Sequence, residues 1–133
     1  MRGIHHVAVA VRDLDEAIET YGRLFGAEVE HRDTVAEQGV EAAAVLVGES
    51  RIELLAATAD DTPVGRFLAR RGPGMHHVAY EVDDLEAQLA RLDAEGVELI
   101  DRAPRRGLYG MQVAFLDPHS VDGVLSELVS HGR

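Results

Sequence analysis

There is no cysteine, no lysine and no tryptophan in the 133 residues, and aromatic side chains make up only 5% of them. Without cysteine there is neither a disulfide framework nor a thiolate for zinc, so any metal must be held by oxygen and imidazole. Without lysine a Schiff base cannot form; all 13 basic side chains are arginine, a bias that genomic composition also explains. No apolar run approaches the roughly 18–20 residues that span a bilayer, and the N-terminal MRGIHHVAVAV lacks the apolar stretch of a signal peptide. A soluble, cytoplasmic protein is the expectation. The net charge of −11 argues against a nucleic-acid or anionic-membrane binder, because both need a cationic footprint. The length suits one compact domain whose core needs no metal to fold.

What the chain does have is an internal repeat. IHHVAVAVRDLDEAIETY, beginning at Ile4, lies over MHHVAYEVDDLEAQLARL, beginning at Met75. His5, His6, Val7, Ala8, Val11, Asp13 and Leu14 recur as His76, His77, Val78, Ala79, Val82, Asp84 and Leu85, all at an offset of 71. Further on, Gly26, Glu28 and Arg32 recur as Gly96, Glu98 and Arg102. Each copy opens with an alternating strand, followed by a helix whose apolar stripe sits behind an aspartate cap: Leu14, Ala17, Ile18, Tyr21 and Leu24 behind Asp13, then Leu85, Leu89 and Leu92 behind Asp83 or Asp84. Further strands fit AEVEHR, VEAAAVLV and RIELLA in the first copy, and VELIDR, MQVAFL and GVLSELVS in the second. The expectation is one α+β domain of two βαβββ modules, about 1–57 and 74–133. TPVGRFLARRG joins them as a linker helix at about 62–72, with Thr62 as cap, Pro63 at the first position and Gly72 as stop.

Successive strand residues point to opposite faces, so the two histidines of each doublet serve different surroundings. His5, Val7, Val9 and Val11 make a bulky face suited to packing, and so do His76, Val78, Tyr80 and Val82. His6 is followed on its face by Ala8 and Ala10, and His77 by Ala79, which leaves room for something that is not protein. His6 and His77 are therefore expected to share a cavity. Each copy also ends on a strand with a lone acid, Glu53 in RIELLA and Glu127 in VLSELVS. A glutamate in a half-buried strand is often solvent-facing, yet two in equivalent places fit a ligand set better. Imidazole with carboxylate suits Co²⁺, Mn²⁺, Ni²⁺, Zn²⁺, Fe²⁺ or Mg²⁺. Four such ligands leave room for a substrate that brings two oxygens, a Lewis-acid arrangement able to stabilise an enolate.

These motifs, with EQGV, TPVGRFL, GMHHVAYEVDD and GVLSELV, resemble the vicinal oxygen chelate (glyoxalase/bleomycin resistance/dioxygenase) superfamily, and most of all its methylmalonyl-CoA epimerases. The resemblance covers residues 4 to about 130. It implies a cupped, half-open mixed β-barrel with helices outside, built from the paired modules. It also implies a divalent metal on His6, Glu53, His77 and Glu127, with Glu127 doubling as a catalytic base. The implied reaction inverts the 2-carbon of methylmalonyl-CoA, or of a similar 2-substituted malonyl-CoA, by removing and returning a proton through a metal-stabilised enolate. Substrate contacts are expected at Gln38, Arg105, Arg106, Tyr109 and His119, and a homodimer is implied.

The sequence departs from the epimerase pattern in three places. Ala42 stands where some epimerases carry a glutamate proposed as a base, GLYG replaces the usual GAHG, and DPHS replaces HPKS. A different acyl carrier therefore stays open, as do a glyoxalase-type isomerase or lyase and a non-catalytic binding or resistance protein. An extradiol-type dioxygenase would leave Glu53 without a role. Arg70-Arg71 reads as helix-end charge, whereas Arg105-Arg106, next to GLYG, suits the phosphates of CoA.

Overall fold

The structure, a computed structural model, describes residues 1–131 and divides into two compact units, residues 6–76 and residues 1–5 with 77–133. Among the described residues no helix is long and apolar enough to cross a membrane.

The first unit takes in β1 (Gly3–Ala10) from His6 onward, then α1 (Leu14–Phe25), β2 (Glu28–Val35), β3 (Val40–Val47), β4 (Ser50–Ala57) and α2 (Pro63–Arg71). The strands lie in the order β2-β3-β4-β1, with β1 parallel to β4 and the other pairs antiparallel. One face is apolar and covered by α1: Val9 and Val11, Ala43 and Val45, and Ile52, Leu54 and Ala56 pack with Leu14, Ala17, Ile18 and Tyr21. The helix begins where the Asp13 carboxylate accepts the Glu16 N–H at 3.0 Å, and ends at Gly26 with φ 67°, a left-handed turn that glycine adopts without a Cβ penalty. Thr62 caps α2 through the Gly65 N–H, and Pro63 occupies its first turn, as expected.

The second unit holds β5 (Gly74–Glu81), α3 (Leu85–Ala94), β6 (Arg105–Arg106), β7 (Gln112–Leu116) and β8 (Ser126–Ser130), in the strand order β5-β8-β7-β6. Strands β5 and β8 are parallel, and β8, β7 and β6 follow antiparallel. Asp84 is the residue that caps α3. Leu85 and Leu89 of the helix pack on Val82, Ala114, Leu116 and Leu128.

One expectation fails here. VELIDR is not a strand: it contributes an isolated bridge, Leu99 to Leu116, and pairing resumes only at Arg105–Arg106. Pro104 just before that short strand has no N–H to give a ladder. The segment instead clips to its neighbours through single bonds, such as Asp117 N–H to the Glu98 carbonyl at 3.0 Å.

Candidate functional site

Each unit carries one histidine–glutamate pair, built in the same way. In the first, Glu53 of β4 stands opposite Ala8 of β1, and His6 lies two residues earlier on the same face. In the second, Glu127 of β8 stands opposite Ala79 of β5, and His77 again lies two residues earlier. The parallel register, together with an alanine opposite each acid, turns the carboxylate back toward the imidazole. His6 Nε2 lies 3.5 Å from Glu53 Oε2, and His77 Nε2 lies 3.1 Å from Glu127 Oε1. All four side chains are buried, with exposures of 2%, 8%, 4% and 4% for His6, Glu53, His77 and Glu127. The structure therefore places His6 and His77 inward and pairs each with the acid singled out in its own repeat.

The two pairs differ in their other neighbour. Glu53 is flanked by Ala8 and Ala44, both fully buried, so small side chains lie on both sides. Glu127 is flanked by Ala79 and Phe115. The Phe115 ring meets the His77 ring edge-on at 5.2 Å, and the Arg105 guanidinium lies over the Phe115 ring, 5.9 Å from its centroid. Asp101 fixes this group from behind: one carboxylate oxygen accepts the Phe115 N–H at 2.9 Å and the other lies 3.0 Å from Arg105 Nε. Phe115 and Asp101 were not foreseen. The register was the available signal for Phe115, since it opposes Glu127 as Ala44 opposes Glu53. For Asp101 the sequence carries no comparable signal, because its role arises from the irregular path after α3.

Ala42 is fully buried on the Glu53 face of β3, and Glu41 faces the helix side, where Arg32 holds it at 3.1 Å. The hydrogen bonds that Arg32 donates to Asp15 first, then to Glu41, push its guanidinium above its ordinary pKa. Neither position therefore puts a carboxylate beside Glu53.

The remaining predicted contacts are scattered. Gln38 is half-buried in a short 3₁₀ turn, Ala36–Gln38. Arg105 is half-buried and Arg106 exposed on β6. Tyr109 is 37% exposed and takes φ 63°, a left-handed conformation that is costly for a bulky residue, between Leu108 and Gly110. His119 is exposed, and its backbone N–H donates to Asp117 at 2.9 Å, so DPHS here forms a capped 3₁₀ turn. His76 packs its ring on Phe67 at 5.0 Å, as a packing residue should. His5 is buried, and its ring lies 6.1 Å from that of His131.

The model of the Glyoxalase/Bleomycin resistance protein/Dioxygenase superfamily matches residues 5–115. The chain is 39% identical over 126 residues to a methylmalonyl-CoA epimerase, mitochondrial, of Dictyostelium discoideum, covering 94% of this chain and 76% of that one. It is 35% identical to the ethylmalonyl-CoA/methylmalonyl-CoA epimerase of Cereibacter sphaeroides, covering 94% and 95%. Among solved structures, a methylmalonyl-CoA epimerase in complex with methylmalonyl-CoA and NH4+ superposes with a TM-score of 0.95 at 37% identity, covering 98% of this chain and 94% of that one. The fold class expected from the repeat is thus borne out. With its paired strand–helix modules and matching sequence along nearly its whole length, the chain belongs to the glyoxalase/bleomycin resistance/dioxygenase superfamily and, within it, to the methylmalonyl-CoA epimerases.

Proposed function

We propose that this protein inverts the 2-carbon of methylmalonyl-CoA, or of a closely similar 2-substituted malonyl-CoA, with a divalent cation held by His6, Glu53, His77 and Glu127. The observation that carries the reading is the duplicated buried pair, His6 with Glu53 and His77 with Glu127, each with an alanine opposite its acid. Family membership supplies the substrate class.

The donor set fits a divalent cation. Neutral imidazole and carboxylate oxygen together favour borderline-to-hard metals. Two buried carboxylates are costly as bare charges, and a doubly charged cation balances both. When bound, it supplies Lewis-acid stabilisation of the charge that develops on the thioester and carboxylate oxygens.

The hydrogen on the 2-carbon is acidic because a thioester and a carboxylate flank it. Glu127 takes that proton; the C–H electron pair moves into the enolate, and a carboxylic acid forms on Glu127. A proton drawn from solvent is then delivered to the opposite face of the planar carbon while Glu127 gives its proton up to solvent, so the configuration is inverted and the carboxylate regenerated with no net gain or loss of atoms. Packing between Ala79 and Phe115 keeps the Glu127 carboxylate in place. Ala42 contributes no acid or base.

Arg105, whose guanidinium lies over Phe115, would pair with a phosphate of the CoA carrier. The exposed Arg106 and His119 suit the phosphates of the carrier, and Gln38 and Tyr109 complete the proposed contacts. The reading includes a cytoplasmic homodimer, in which a second copy would cover exposed apolar residues such as Ile4 and Met75, 64% and 62% exposed.

The test starts from one epimer of methylmalonyl-CoA, mixed with metal-stripped protein and then with protein reloaded with Co²⁺, Mn²⁺, Ni²⁺, Zn²⁺ or Mg²⁺. Chiral separation of the acyl-CoA should show conversion to a mixture of both epimers only after reloading. Persistence of the starting epimer with every metal would reject the proposal.

A further inference from the structure

A second cluster of ligand-type side chains lies within the unit made of residues 1–5 and 77–133, separate from His77 and Glu127. His5 on β1, Glu81 at the end of β5 and His131 immediately after β8 each present one donor atom, and these three atoms all lie within 4.8 Å of one another. We propose that His5, Glu81 and His131 form a further binding site for a divalent transition-metal cation, independent of the epimerase reading.

The spacing supports coordination. In a tetrahedral site with metal–ligand bonds of about 2.1 Å, neighbouring donors sit about 3.4 Å apart. His131 Nε2 lies 3.4 Å from Glu81 Oε2. The His5 and His131 rings are 6.1 Å apart between centroids and inclined at 66°, an edge-on arrangement that leaves their nitrogens within the 4.8 Å spread of the three donors.

The three segments are braced by backbone bonds, which limits what ordering the site would cost. Arg2 N–H donates to the Glu81 carbonyl at 2.8 Å, and Val82 N–H to the Val129 carbonyl at 2.9 Å. The Ser130 hydroxyl donates to the Asp83 carbonyl at 3.2 Å. Arg2, a positive charge on these segments, is paired with Asp83 at 2.8 Å.

Burial is graded. His5 is 7% exposed, whereas the side chains of Glu81 and His131 are 27% and 67% exposed. One ligand is thus rigid and interior, and the outer two leave coordination positions open to water. Two imidazoles and one carboxylate select borderline cations such as Zn²⁺, Ni²⁺, Cu²⁺ or Co²⁺ over Mg²⁺ or Ca²⁺. With fewer ligands and more solvent, this site should hold metal less tightly than a buried four-ligand set.

The experiment is equilibrium dialysis of metal-stripped full-length protein against Zn²⁺, with bound metal counted per chain. The wild type, His131→Ala, Glu81→Gln and His6→Ala are compared, and epimerase turnover is measured in parallel. His131 follows the last strand, so its replacement leaves every element intact. The expected result is that His131→Ala and Glu81→Gln each bind one equivalent fewer than the wild type and keep turnover within about twofold. His6→Ala should retain the weaker equivalent. An unchanged zinc count in His131→Ala would overturn the proposal and leave His131 and Glu81 as a plain ion pair. Because the readout is the equivalent lost with His131, it stands or falls apart from the epimerase activity.

Discussion

The Nε2 of His77 lies 3.1 Å from the Oε1 of Glu127, and the pair owes this distance to a parallel register in which Glu127 faces Ala79. The same register, with Ala8 facing Glu53, produces the His6–Glu53 pair. A two-residue step from histidine to alanine along one strand, with a glutamate opposite that alanine on its neighbour, thus makes a buried histidine–glutamate pair twice in one chain.

If these pairs hold the tight cation, His6→Ala and His77→Ala should each lower metal occupancy by about tenfold or more, while His76→Ala, which only loses its packing on Phe67, should keep the full tight equivalent. Metal analysis after gel filtration reads the difference. Tight metal lost in His76→Ala and retained in His77→Ala would reverse the facing of β5.

Glu127→Gln keeps the shape of the side chain but cannot take the proton. Turnover should fall by about 10²-fold or more, the range that general-base catalysis supplies. The fold, followed by circular dichroism, should be unchanged. A variant with near wild-type turnover would remove Glu127 from the reaction.

Arg105 is held by Asp101 and lies over Phe115, next to His77. Loss of one charge-assisted hydrogen bond is worth about 1.5–3 kcal/mol. Arg105→Ala should therefore raise KM by about tenfold to a hundredfold, with a smaller effect on kcat, in steady-state kinetics. An unchanged KM would make the stack purely structural.

The start of α2 offers a test of stability. Thr62→Ala removes the acceptor for the Gly65 N–H and should cost about 1 kcal/mol. Gly65→Ala should cost more, about 1–3 kcal/mol, because a Cβ there would meet the carbonyl oxygens of Ala59 and Asp60 at 2.5 and 2.7 Å. Thermal melts rank the two, and an equal or reversed order would contradict the close approach.

The arrangement of His6 and His77 was legible because strand alternation has a period of two and the repeat states it twice. The aspartate caps and the Thr62–Pro63 start were legible for a similar reason, since each depends on side chains a few residues apart. VELIDR has the composition of a strand, but pairing needs a partner along its length, and it finds only the bridge at Leu99. Phe115, Asp101 and the grouping of His5 with His131 depend on contacts between segments far apart in sequence. No local pattern encodes those. The repeat even misleads there, because Ala44 and Phe115 occupy equivalent places with opposite bulk.

The central claim is proton exchange at the 2-carbon on a metal-loaded site. Incubating one epimer of methylmalonyl-CoA in D₂O with the reloaded protein should place deuterium at the 2-carbon as the two epimers interconvert, as read by mass spectrometry and proton NMR. Absence of deuterium at that carbon with every divalent metal tried would contradict the account.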